Sequence, residues 1–317
     1  MSHLPQPHPH PHPHPAVTLI GAPTDVGAAD IGARLGPGAL RVAGLGPALA
    51  RMGLQVHDIG DLAGPDNPER APDQGLRHLP EVARWNQLVH DACLSTLQAG
   101  RMPLLMGGDH CLAMGSISAA SRHARAKGLR LKVIWLDAHA DFNTAALTPS
   151  GNLHGMPVAC LCGHGPESLT TLSGSLPAMR PGDIVQLGIR SVDDGEKRLV
   201  HDMGISVFDM RSIDELGMRE AMRQALADVD EHTHLHVSLD VDFLDPDIAP
   251  GVGTTVRGGP TYREAQLCME MLADTGRLCS MDIVELNPAL DVRNQTALLA
   301  VDLVESLMGK STLMRRG

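Results

Sequence analysis

Seven short apolar runs, at 16–21, 103–106, 131–136, 184–189, 205–208, 234–239 and 280–284, are spaced along the chain, and most end at or beside Gly, Asp or His. Between them lie longer stretches with apolar residues every three to four positions, which predict helices over 81–98, 111–126, 215–229, 261–275 and 294–308. Short apolar runs alternating with amphipathic helices are the pattern of a parallel sheet with helical crossovers, an α/β fold. In such sheets ligands collect outside the carboxyl ends of the strands. The chemistry should therefore lie in the residues that follow the runs.

With 317 residues, 43% of them hydrophobic, the chain can bury one large core, and one domain over 16–317 is expected. Residues 1–15 stand apart: proline at every second position from Pro7 to Pro15 forbids helix and predicts a disordered, solvated tail whose histidines bind metal at most weakly. No apolar run approaches the ~20 residues that span a bilayer, and the amino terminus lacks a basic-then-apolar signal pattern, so a cytoplasmic protein with no membrane partner is expected. The six cysteines, at 93, 111, 160, 162, 268 and 279, have neither zinc-site spacing nor the density of a disulfide framework, and are expected to be reduced and packed. A net charge of −11 with 2% aromatic residues argues against nucleic acid and suits a cationic small molecule.

The run Lys132-Val133-Ile134-Trp135-Leu136 leads directly into Asp137-Ala138-His139-Ala140-Asp141, which puts three possible ligands at alternate positions. In an extended chain they face one side. The run closing at Leu239 continues as Asp240-Val241-Asp242, and the run closing at Met106 continues as Gly107-Gly108-Asp109-His110, where two glycines permit a sharp turn that presents His110. Taken singly, each cluster is ordinary, because acidic residues are common at strand ends and helix caps. Together, four aspartates and two histidines on one sheet edge would repel one another unless cations balanced them. Two divalent ions carry as much positive charge as Asp137, Asp141, Asp240 and Asp242 carry negative. An oxygen-rich set with one imidazole per metal favours Mn²⁺ over zinc, which takes Cys- and His-rich sets, and the histidines fit Mg²⁺ less well. Two ions about 3.5–4 Å apart can share a hydroxide and lower its pKa, which suits hydrolysis.

These blocks, with Ser238-Leu239-Asp240-Val241-Asp242-Phe243-Leu244-Asp245-Pro246, occur in the order found in the ureohydrolases, and the chain resembles that family from Gly21-Ala22-Pro23 to Arg316. The resemblance implies a three-layer α/β/α sandwich around a mainly parallel eight-stranded sheet, two Mn²⁺ per subunit, and a homo-oligomer, trimer or hexamer. It assigns His110, Asp137, Asp141 and Asp240 to one manganese, and His139, Asp137, Asp240 and Asp242 to the other. Asp109 and Asp245, though adjacent to ligands, are read as supporting residues.

Within the family, the stretch from Asp141-Phe142-Asn143-Thr144 through Ser150-Gly151-Asn152-Leu153-His154-Gly155 looks like that of arginases, whose Asn143 and Ser150 counterparts bind the α-carboxylate of L-arginine. His154 resembles the family's proton shuttle, a role its pKa range suits. Glu285 matches the guanidinium-binding glutamate of Glu-x-Asn-Pro. Asp193 resembles the residue that meets the substrate α-amino group, with Glu196 a second candidate; many arginases carry an acid where this chain has Ser191, which leaves the hydrogen-bond support of Asp193 open. The resemblance implies hydrolysis of L-arginine to L-ornithine and urea, with Asp141, His154 and Glu285 as catalytic residues. The alternatives are an agmatinase or guanidinobutyrase sharing the metal centre, and a silent metal-binding relative, which would be expected to lose ligands that are all present here. A nucleotide-binding reading of Gly32 to Gly38 fails on glycine spacing.

Overall fold

A computed structural model describes residues 16–68 and 75–313. The predicted Pro-His tail lies outside the described residues. Eight strands form one sheet: β1 Ala16–Ala22, β2 Gln55–Asp61, β3 Met102–Gly107, β4 Arg130–Leu136, β5 Ile184–Ile189, β6 Ser206–Asp209, β7 Thr233–Asp240 and β8 Leu278–Val284. Their spatial order is β2-β1-β3-β8-β7-β4-β5-β6, and every pairing is parallel. The helices are α1 Gly36–Val42, α2 Leu45–Arg51, α3 Leu79–Gln98, α4 Ala113–Ala126, α5 Pro157–Leu161, α6 Glu167–Thr170, α7 Asp194–Met203, α8 Met210–Leu216, α9 Met218–Ala225, α10 Tyr262–Asp274 and α11 Gln295–Leu307.

Alternation along the strands sorts side chains into two cores. On β3, Leu104 and Met106 join a cluster with α1, α2 and α8–α11, whereas Leu105 faces a second cluster with α3 and α4. On β4, Val133 and Trp135 pack against α4 and α5. The result is the three-layer sandwich that a sheet apolar on both faces requires. All six cysteines are buried and unpaired, and among the described residues no helix is long and apolar enough to cross a membrane.

Several elements depart from the sequence-based expectations: α1, α2, α5, α6 and α7, each ten residues or shorter, lie outside the five predicted helical stretches. Strand β2 follows none of the seven apolar runs, because it is a largely exposed edge strand whose Asp58 and Asp61 hold Arg41 of α1 at 2.8 and 2.6 Å. The helix expected over 215–229 is two helices, since Gly217 at φ 79° separates α8 from α9.

Candidate metal centre and active site

The strands that carry the predicted ligands are the four neighbours β3, β8, β7 and β4 at the middle of the sheet. His110 follows β3, Glu285 follows β8, Asp240 ends β7 with Asp242 two residues on, and Asp137, His139 and Asp141 follow β4. Backbone amides fix the carboxylates. Asp137 Oδ1 accepts the His139 N–H at 2.7 Å, Asp240 Oδ1 accepts the Asp242 N–H at 2.8 Å, and Asp242 Oδ1 accepts the Ala138 N–H at 3.1 Å. The second oxygens of Asp240 and Asp242 are left facing the histidines. Asp109 and Asp245 do not join the centre: Asp109 accepts the N–H groups of Gly27 and Cys111, and Asp245 those of Asp247, Gly258 and Gly259.

Two groups of side chains come within reach of a common ion, His110 with Asp137 and Asp240, and Asp137 with His139 and Asp242. His110 Nδ1 lies 3.1 Å from Asp137 Oδ2, 3.3 Å from Asp141 Oδ2 and 3.1 Å from Asp240 Oδ2, yet this buried nitrogen has a hydrogen bond to none of them. His139 Nδ1 lies 3.1 Å from Asp242 Oδ2 and 3.5 Å from Asp137 Oδ1. Ligands held about 2.0–2.2 Å from one small cation sit about 3 Å from each other at near-right angles, so these spacings suit a shared ion. The donor set fits a divalent metal, and Asp137 belongs to both groups.

The electrostatics of the protein alone point the same way. Burial works against a charged His110, but Asp137, Asp141 and Glu285 outweigh it and raise its pKa to about 9. Burial likewise opposes a charged His139, which Asp137 and Asp242 push up to about 12. Asp141 and Asp240 are raised well above the usual carboxylate range, by burial first and then by neighbouring carboxylates. The cluster therefore seeks positive charge, from protons or from metal.

A cleft of about 180 Å³ opens over these groups, lined by His110, His139, Asp141 and Asp240 below and by Asn143, Ser150, His154, Asp193 and Glu196 around it. Glu285, also in the lining, is buried; Ser150 and Asp193 are exposed at the mouth. Glu285 Oε1 accepts the His110 backbone N–H at 2.8 Å and lies 3.2 Å from His154 Nδ1. Asn143 Nδ2 donates to Asp193 Oδ2 at 3.0 Å, which gives Asp193 a partner where Ser191 supplies none. Glu196 bridges loops, accepting the Phe142 N–H at 2.7 Å and the Asp193 N–H at 3.1 Å. All the sequence-predicted site residues thus share one cleft except Asp137 and Asp242, which lie beneath its lining.

A profile of the arginase family matches residues 15–309. The chain belongs to the arginase family. It is 44% identical over 301 residues to an arginase of Bacillus caldovelox, covering 94% of this chain and 99% of that one. The solved Bacillus caldovelox arginase superposes with a TM-score of 0.89 at 42% identity, over 94% of this chain and 99% of that one. A hypothetical agmatinase from Burkholderia thailandensis is more distant, with a TM-score of 0.68 at 26% identity, over 92% of this chain and 84% of that one.

Three contacts of this arginase-family centre were not singled out from the sequence. Trp135 donates from Nε1 to Asp137 Oδ2 at 2.8 Å, and its ring stacks on His110 with centroids 4.0 Å apart. Ser238 Oγ lies 2.9 Å from His110 Nε2. Both precede a ligand by two residues on their strands, so alternation could have found them. Thr254, which donates to Asp242 Oδ2 at 2.8 Å, comes from a loop with no such signal. Arg190 ties that loop down by donating to the carbonyls of Val256, Asp242 and Leu244.

Proposed function

We propose that this protein hydrolyses the guanidinium group of L-arginine to L-ornithine and urea at a centre of two manganese ions. The observation that carries the reading is a single cleft with a carboxylate at its buried end, beside the two His/Asp groups, and an amide, a hydroxyl and a second carboxylate at its mouth. That is the complement of an amino acid with a cationic tail. Glu285 uses Oε1 for His110 and His154, and its Oε2, with no partner among the described residues, is left to orient the guanidinium. At the mouth, Ser150 and Asn143 donate to the α-carboxylate while Asp193 meets the α-ammonium.

When bound, the two ions lower the pKa of water and so supply a nucleophile at neutral pH. Asp141 accepts the proton of the attacking water and delivers it to the leaving amine. His154, one-fifth exposed, exchanges protons with solvent; burial lowers its pKa, but Glu285 and Asp109 more than offset this, so the net shift is upward. Such general acid-base help is worth about 10²–10⁴-fold, and positioning of the bound guanidinium supplies much of the rest.

Urea release from L-arginine should vanish on chelation and return with Mn²⁺ more fully than with Mg²⁺. Full activity in protein shown to be metal-free would overturn the proposal.

A further inference from the structure

Beneath the metal centre, one face of β7 and β8 carries polar side chains at alternate positions: His234, His236 and Ser238 on β7, and Ser280 and Asp282 on β8, all buried. The register sets His236 beside Ser280 and Ser238 beside Asp282. Asp282 is 0% exposed, and among the described residues no lysine or arginine pairs with it. Three donors converge on its Oδ2: Ser116 Oγ of α4 at 2.8 Å, His236 Nε2 at 3.1 Å and Ser238 Oγ at 3.3 Å. Its Oδ1 has no partner. Burying a carboxylate in this way is costly. Asp282 belongs to neither metal group and does not line the cleft.

The contacts have a direction, because a carboxylate only accepts hydrogen bonds. His236 therefore carries its proton on Nε2, and its Nδ1 accepts from Ser280 Oγ at 2.8 Å. Ser280 Oγ is then the acceptor for His234 Nε2 at 3.1 Å. On the other branch the Ser238 hydroxyl donates to Asp282, so its oxygen accepts the Nε2–H of His110 at 2.9 Å. A neutral His110 with its proton on Nε2 turns a bare Nδ1 lone pair toward Asp137, Asp141 and Asp240. The other tautomer would place a proton where an ion must bind.

We propose that Asp282 is a positioning residue for the metal centre, acting through Ser238 to hold His110 in the tautomer that can ligate. The inference rests on reading His110 as a metal ligand. Partners one step removed from a ligand typically change metal affinity by about 10–100-fold, and that is the range expected here.

The test is a chelator-competition titration of the full-length, metal-stripped protein with Mn²⁺, run on wild type, Asp282→Asn, Ser238→Ala and the double variant, with thermal melts alongside. An asparagine at 282 can point an amide N–H at Ser238 and turn its hydroxyl toward His110. Asp282→Asn should weaken Mn²⁺ binding by about 10–100-fold, Ser238→Ala should do the same, and the double variant should lose no more than either single. Ser116→Ala, which removes a different donor from Asp282, should leave Mn²⁺ affinity near that of wild type. If Asp282→Asn does not fold, Asp282→Ser carries the same expectation. Wild-type affinity in a folded Asp282 variant, or losses that add in the double variant, would overturn the proposal. A wild-type protein that binds no Mn²⁺ would instead overturn the reading of His110 as a ligand.

Discussion

Asp141 and Glu285 sit in the left-handed backbone region, at φ 49° and 62°, which residues other than glycine seldom adopt; aspartate tolerates it better than glutamate does. Each such conformation costs on the order of 1–3 kcal/mol and survives only where its surroundings enforce it. For Glu285 the enforcement is visible: its N–H donates to the Gly108 carbonyl at 2.7 Å and its carboxylate is held by the His110 amide. His154 meets Glu285 Oε1 through Nδ1 at 3.2 Å, its own N–H is held by the Gly27 carbonyl at 3.1 Å, and it belongs to neither metal group. His154→Ala should keep its full metal content yet lose kcat, with partial rescue by added imidazole; metal content falling in step with activity would rule out the shuttle role. At this scale the aspartates and histidines were legible because they cluster at or just past the ends of the apolar runs, and Trp135 and Ser238 stand two residues before a ligand on their strands; the left-handed turn at Asp141, where an extended chain was expected, was not. Thr254 was not, since only the fold brings its loop to Asp242.

Gly107-Gly108 illustrates how an element can be located correctly for an incomplete reason. The sequence suggests a turn that needs flexible residues, whereas the structure shows three strand ends knotted at one point. Gly108 donates to the carbonyl of Ala22, the last residue of β1, at 3.0 Å and accepts from Glu285 after β8. A Cβ there would lie 1.5 Å from the Thr24 carbonyl oxygen, a backbone atom that cannot swing aside. Gly108→Ala is therefore expected to destabilise the protein by about 3 kcal/mol or more and to displace His110, measured as a lower denaturation midpoint together with reduced metal content. Wild-type stability in that variant would contradict the close packing. The inner strands were legible as apolar runs because both faces of the sheet are covered. Edge strand β2 was not, because its polar residues serve Arg41 and solvent instead of a core. The break at Gly217 was missed because apolar spacing continues across it.

Across the whole molecule, the cost of gathering four carboxylates on one sheet edge should appear as a pH dependence that metal removes. In metal-free protein the folded pKa of His110 is about 9 against 6.5 for the free side chain, so its protonation adds stability that is complete below about pH 6.5 and lost as pH rises through 9. His139, at about 12, continues the loss at higher pH, and the raised carboxyls of Asp141 and Asp240 act in the same direction from the ordinary carboxylate range upward. The melting temperature of chelated protein should therefore fall between pH 6.5 and 9. Saturating Mn²⁺ should reverse the trend, since metal replaces those protons and binds more tightly as they leave. A chelated protein that grows more stable over that range would show that the cluster is not the source of the strain. The central claim, that the cleft is built for an amino acid with a guanidinium tail, is tested most directly by kcat/KM for L-arginine against agmatine, the same molecule without the α-carboxylate. Asn143 and Ser150 would be left facing an absent group, and a site built to hydrogen-bond a group rejects the analogue lacking it by up to roughly 10⁴-fold. The exposed position of Ser150, where water can substitute, moves the expectation toward 10²-fold in favour of L-arginine. A kcat/KM for agmatine equal to or above that for L-arginine would contradict the account.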